Sequence, residues 1–230
     1  PWRGAIYVWD TSTGTGTRAV IITNAPSSNL HVRVTDDLRQ IVSFGAYSTT
    51  ISALDPMLIK WCDSEDYTQW TAAETNNAGS KRLDNGTEIV LVVPSGGRFV
   101  VVTDKAVYTM SRSNDDYIFA FDTYGESIRP AGPNCGYDMN GVVIYMGIGQ
   151  FIAFSGIIET IPCDVLSFIF TEDTARGFLG INWLQSAKIF CGRNKTNNDL
   201  IWFYCSADSD EIDRCVGYCT EPGNTHWWLG

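Results

Sequence analysis

The sequence predicts an all-β fold, a β-propeller-like array of antiparallel four-stranded blades, on three observations. Short runs rich in β-branched and aromatic residues recur along the chain, and turn residues separate them at the roughly 8–12-residue spacing of meandering β-proteins. The last stretch, 187–230, packs four such runs into the length of one blade. With 230 residues, 44% of them hydrophobic and 18% charged, the chain has enough apolar material for a substantial core and too little charge for a disordered one.

The first strands read as "GAIYVWD" (4–10) and "RAVIIT" (18–23), separated by the flexible "TSTGTGT", followed by "LHVRVT" (30–35) and "QIVSFG" (40–45). "EIVLVV" (88–93) and "RFVVVTD" (98–104) continue the series around the turn "PSGG", and Asn85-Gly86 before them is a hairpin signal. "FVVVTDKAVYTMSR", "YIFAFDTYG", "GVVIYMG" and "QFIAFSGIIETIP" group as a second blade. Within "IPCDVLSFIFTEDTARGFLG" (161–180), Pro162 near the start, Asp164 in the first turn and Gly177 as a stop predict one short helix near 162–176, although "VLSFIF" also suits a strand. The closing blade, 187–230, has strands in "AKIFCGR", "LIWFYCSA", "RCVGYCT" and "THWWLG". All 230 residues read as a single propeller-type domain, and a start at Pro1 without Met reads as a processed chain or an excerpt of a longer one.

Charge and cysteine content narrow the function. Sixteen Lys and Arg stand against 26 Asp and Glu, a net charge of −10 that disfavours a surface built to grip phosphates. The seven Cys lack CxxC spacing, and only His31 and His226 could supplement them as metal ligands, so they read as small apolar residues kept reduced. No apolar run reaches the about 18 residues of a membrane-spanning helix, and no signal peptide is visible.

Several segments invite a chemical reading. Asp63, Glu65 and Asp66 could supply the carboxylate pair of a glycosidase, but adjacent positions say little about the separation such a pair needs, and a solvated loop between Trp61 and Trp70 is the simpler reading. Asp208, Asp210, Glu211 and Asp213 suggest a calcium loop without its central Gly and final Glu, hence a hairpin tip made soluble by charge. "MGIGQ" (146–150) lacks the spacing and following helix of a nucleotide loop, and neither His31 nor His226 comes with a nucleophile elbow. "CTEPGNTHWW" (219–228) partly resembles the Asp-box turn of sialidase-like propellers, with Gly223 and Thr225 in place but Cys219, Glu221 and His226 departing from the pattern; that turn is structural even in sialidases. No catalytic, cofactor or metal residues are therefore assigned.

Nearly the whole chain resembles the tail nozzle, or packaged-DNA stabilisation, proteins of short-tailed bacteriophages. The resemblance is most specific in "DPMLIKWCDSEDYTQWTAAETNNAGSKRLDNGTEI", through Trp61, Asp63, Trp70, Asn77, Ala78, Gly79, Leu83 and Gly86. It implies a virion protein assembled in the host cytoplasm, with a propeller body repeated in a homo-oligomeric ring, commonly of six copies. That ring lies below the portal and adaptor and forms part of the channel that retains and then passes double-stranded DNA. It implies no catalytic residues and no cofactor. The eight marked residues then read as architecture, the two Trp clamping one long loop. A glycan-binding or glycan-cleaving sialidase-like propeller is the alternative from another class, and the missing Gly-His…Trp-Asp period counts against a WD-repeat protein.

Overall fold

The computed structural model describes residues 3–113, 118–173, 175, 177, 180–221 and 223–230. Within them the chain is all-β: four four-stranded antiparallel sheets and one two-stranded ladder, with helix confined to short turns. It divides into two compact units, Pro1–Ile89 with Arg112–Phe119, and Val90–Ser111 with Ala120–Gly230.

The first unit begins with a two-residue ladder of β1 (Tyr7–Val8) on β2 (Val20–Ile21). Its sheet runs in chain order through β3 (Asn29–Val34), β4 (Ile41–Ser48), β5 (Ala53–Trp61) and β6 (Gly79–Arg82). In β5 the residues Asp55, Met57, Ile59 and Trp61 are buried and those between them half-exposed, the period-2 pattern of a strand with one face on the core. This strand escapes a sequence reading because Asp55-Pro56 lies inside it. Pro56 is tolerated because the register shifts there: between the pairs Phe44–Ile59 and Ala46–Asp55, Gly45 faces Pro56, Met57 and Leu58. Gly45 takes φ +63° at this bulge, and a Cβ on it would collide with Leu30. Asp55 secures the bulge by accepting from the Met57 N–H at 3.0 Å and from Arg82 at 2.8 Å.

The second unit carries three sheets, again in chain order. They are β7 (Ile89–Ser95) to β10 (Phe119–Glu126) through β8 (Arg98–Thr103) and β9 (Ala106–Arg112); β11 (Gly136–Met139) to β14 (Ile158–Ile161) through β12 (Val142–Met146) and β13 (Phe151–Phe154); and β15 (Phe190–Asn194) to β18 (His226–Leu229) through β16 (Asp199–Tyr204) and β17 (Arg214–Cys219). A few end residues of the first of these sheets fall to the other unit. One core joins the three sheets, with Val102, Tyr145, Phe151, Trp202 and Val216 at its centre. Phe151 packs on Trp202 at 4.9 Å and on Trp227 at 4.4 Å, and Trp202 donates its indole N–H to the Cys135 carbonyl at 2.8 Å. Burying each such ring contributes about 1.5–3 kcal/mol or more. The first strands lie side by side: a Cβ on Gly136 of β11 would press on Leu91 and Val93 of β7, and Asn134 forms a parallel bridge with Phe190 of β15. Successive meanders with neighbouring first strands are a propeller-like arrangement.

Three expectations change. The runs grouped as one second blade belong to two sheets, because "SIRPAGPNC" (127–135) ends β10 and leads into a new meander, its Ala131 N–H bonding to the Met146 carbonyl at 2.9 Å. Asn85-Gly86 forms no hairpin: its flanking strands β6 and β7 pair in different sheets, and Gly86 takes φ +128° in the link. The helix is shorter than 162–176. It spans Leu166–Phe170, starts at Val165 without a side-chain cap and stops where Thr171 becomes extended; residues 174 and 176 lie outside the described residues.

Candidate functional site

The long connection from β5 to β6, residues 62–78, holds Asp63, Trp70, Asn77 and Ala78 of the residues marked by sequence, and Trp61 and Gly79 flank it. Trp61 ends β5 directly opposite Gly79, the first residue of β6. The Trp61 ring lies flat over that glycine, where a Cβ would come within 2.6 Å of it, so only glycine fits. The indole N–H donates to the Asn77 carbonyl at 2.9 Å. Asp63 completes the closure, its Oδ1 accepting from the Asn77 N–H and the Ser64 N–H, both at 2.8 Å, while the Asn77 side chain donates to Ser64 Oγ at 2.9 Å. Ala78 is buried between these contacts. The two ends of the excursion, Trp61 and Asn77, sixteen positions apart, are thereby fastened to each other.

The middle of the loop is anchored separately. Trp70 is buried with Ile6, Ile22 and Cys62, and its N–H donates to the Tyr67 carbonyl at 2.7 Å. Asn76 accepts from the Ala73 and Ala78 N–H groups and donates to the Thr71 carbonyl, closing the polar half of the loop. Leu83 is buried at the foot of the sheet, its N–H on the Met57 carbonyl at 3.0 Å. Gly86 is the one marked residue that the structure leaves outside this assembly, in the link to β7.

Gln40 belongs to the site and escapes sequence reasoning. It is fully buried and donates to the Cys62 carbonyl at 2.8 Å and to the Asn77 carbonyl at 3.4 Å. A glutamine at the mouth of a strand reads as an exposed edge residue, so its sequence gives no signal. Its Oε1 is buried without a hydrogen-bond partner.

The loop engages its own acidic residues in hydrogen bonds. Asp63 and Asp66, which the sequence reading places in a solvated loop, each use one oxygen to accept from N–H groups of that loop. Hydrogen bonds from the Thr68 hydroxyl at 2.6 Å and the Thr68 N–H at 2.9 Å hold the Asp66 carboxyl below the usual carboxylate range. A general acid of a glycosidase needs the opposite shift. Glu65 lies exposed at φ +58°, with Arg39 at 4.0 Å.

The second acidic run is bound to its neighbours too. The turn between β16 and β17 is tied to the short helical turn Trp183–Lys188: Gln185 donates to Asp210 at 3.0 Å, and Lys188 donates to the Asp210 carbonyl at 2.6 Å and to Glu211 at 3.1 Å. Asp213 accepts from the Ser206 N–H and hydroxyl, both at 2.7 Å. In the "CTEPGNTHWW" segment, Asn224 closes a turn on the Glu221 carbonyl and His226 meets the Asn224 carbonyl at 2.9 Å.

His31 is buried in β3, paired with Phe44. Burial pushes the Cys135 thiol up to about 12 and the Cys163 thiol up to about 11, which makes both poor nucleophiles and poor metal ligands at neutral pH. Among the described residues no group of three or more His, Cys, Asp or Glu is placed to hold a metal ion. A cleft lined by Phe168, Gly177, Gly180, Tyr204, Ser206 and Arg214 has a volume of about 10 Å³, room for one water molecule.

No family model and no curated protein matches the chain. Among solved structures, a quinonprotein alcohol dehydrogenase-like protein from Bacteroides thetaiotaomicron is similar at 14% identity with a TM-score of 0.48. The match covers 86% of this chain and 45% of that protein, so the chain spans less than half of its length.

Proposed function

We propose that the chain is a structural wall element of a phage tail, part of a ring-shaped nozzle through which double-stranded DNA is retained and then passed. The observation that carries this reading is the use made of Trp61, Asp63, Asn77, Ala78 and Gly79. The residues that are most specific to the nozzle resemblance are spent on locking a long loop to its sheet.

A channel wall needs stiffness, lateral contacts and a lining that does not hold its cargo. Meanders stacked on a common aromatic core supply stiffness. The net charge of −10 supplies the third property, because DNA gains affinity by releasing counterions to cationic surfaces and an acidic wall offers no such release. The ring, its neighbours in the tail and the passage of DNA are parts of the same proposal.

Electron microscopy of the purified full-length protein tests it. Rings with a central opening wide enough for duplex DNA are the expected result. A monomer that hydrolyses or binds glycans would overturn the reading in favour of a sugar-active propeller.

A further inference from the structure

Two cysteines of the second unit stand side by side where one sheet meets the next. Asn134 and Phe190 form a parallel bridge, and the Cys191 N–H donates to the Asn134 carbonyl at 2.9 Å. One step further along both segments, Cys135 and Cys191 are neighbours across that junction, Cys135 just ahead of β11 and Cys191 within β15. Side chains alternate across an extended segment, so both thiols point away from the Asn134 and Phe190 side and share the opposite one. Burial agrees: Asn134 and Phe190 are exposed, whereas Cys135 is buried in the core of the unit and Cys191 packs against that core. Neighbouring strands lie about 4.8 Å apart, inside the about 4.4–6.8 Å range of Cα separations that a disulfide spans.

Trp202 touches both residues. It is the cross-strand partner of Cys191 and donates its indole N–H to the Cys135 carbonyl at 2.8 Å. The other cysteines are placed differently: Cys215 is paired with Phe203, Cys219 with Asp199, and Cys62 is buried in the first unit.

We infer that Cys135 and Cys191 are a redox-sensitive pair that closes into a disulfide and staples the β11–β14 sheet to the β15–β18 sheet. The oxidant is a small-molecule disulfide. The half-buried Cys191 sulfur attacks it and keeps one half as a mixed disulfide, while the other half leaves as a thiol. The Cys135 sulfur then attacks the Cys191 sulfur and expels the second half. Two protein thiols and one small disulfide thus become one protein disulfide and two small thiols, which carry away both protons. Burial raises both thiols above their ordinary value. That slows the attack, and it favours the closed form, because a disulfide brings no charge into the core. The pair stays open in a reducing compartment and closes on passage to an oxidising one. The inference does not depend on the nozzle reading.

The test incubates the full chain for hours to days in a glutathione buffer rich in the oxidised form. Remaining thiols are then trapped with N-ethylmaleimide in urea, and linked peptides are mapped by mass spectrometry. The expected result is that two of the seven thiols become unreactive and a Cys135–Cys191 link appears. The urea midpoint of the second unit should rise by about 1 M and Trp fluorescence should fall, both reversed by dithiothreitol. Cys191→Ala should abolish the shift and the quenching, and Cys205→Ala should leave them. The wild-type map requires no variant to fold. Seven reactive thiols after oxidation, a glutathione adduct on Cys191 that Cys135 never displaces, or a link between other cysteines overturns the inference. A Cys135–Cys191 link that leaves the midpoint unmoved overturns the staple.

Discussion

Replacing Gly79 by Ala puts a methyl group where the Trp61 ring already lies. The new Cβ would stand 2.6 Å from Cζ2 and 2.9 Å from Cε2 of the indole. The ring has little room to retreat, because Trp61 is buried, its N–H is tied to Asn77 and Phe119 meets it edge-on at 5.1 Å. Overpacking of this kind costs about 1–3 kcal/mol. Lifting the ring off the Asn77 carbonyl adds about 0.5–1.5 kcal/mol, and the stiffer unfolded chain returns about 0.4–1 kcal/mol. The balance is a loss of about 2 kcal/mol, which at ordinary urea sensitivity lowers the unfolding midpoint of the first unit by about 1 M. Urea titration followed by Trp fluorescence and far-ultraviolet circular dichroism reads it. Gly192→Ala is the control, since a Cβ there meets nothing within 4 Å; it should leave stability unchanged or raise it slightly. In a Trp61→Leu background most of the cost of Gly79→Ala should vanish. A loss below about 0.5 kcal/mol, or one that persists in that background, would refute the steric account.

Two further outcomes follow from the acidic loops. Asp63→Ala strips an acceptor from the Asn77 and Ser64 N–H groups and should destabilise the first unit by about 1–3 kcal/mol, whereas the exposed Glu65→Ala should change it by less than about 0.5 kcal/mol; equal effects in urea titrations would contradict the loop-closing role. Burial pushes the Asp213 carboxyl up, but hydrogen bonds from the Ser206 hydroxyl and N–H, with Arg214 nearby, outweigh it and leave the group below its ordinary value. A depressed folded-state value means stability that is present above the unfolded value and lost as pH falls through the folded one. The stability gap between wild type and Asp213→Asn should therefore be full near pH 7 and close in acid. A gap that stays constant down to the acid transition would remove Asp213 from the account.

What the sequence revealed and what it hid divide along a physical line. Strands with an apolar face against the core, such as β3, β4, β8 and β16, announce themselves by β-branched and aromatic content. β6, "GSKR", lies at the sheet edge with mostly exposed side chains, so nothing in its hydrophobicity marks it, and only the hydrogen bonds to β5 make it a strand. β5 is hidden by a proline that the bulge opposite Gly45 accommodates. At the loop, the aromatic, Asn and Gly spacing points to Trp61, Asn77 and Gly79, but the partnership of Asp63 with two backbone N–H groups depends on the loop returning to its start, which composition cannot express. Gln40 comes from a different hairpin, and its role exists only once the strands are paired.

The pairing of Trp61 with Gly79 recurs at the other end of the chain, where Trp228 on β18 covers its cross-strand partner Gly217 on β17, and a Cβ there would come within 2.0 Å of the indole ring. Each pair imposes an order on change. A smaller residue in place of the tryptophan opens a gap that neighbours can partly fill, and the glycine beside it is then free to vary. A larger residue in place of the glycine, while the tryptophan remains, meets the full collision at once. A lineage can therefore leave either pair only by losing the ring first, so each glycine is held in place by a residue on another strand rather than by any turn of its own backbone.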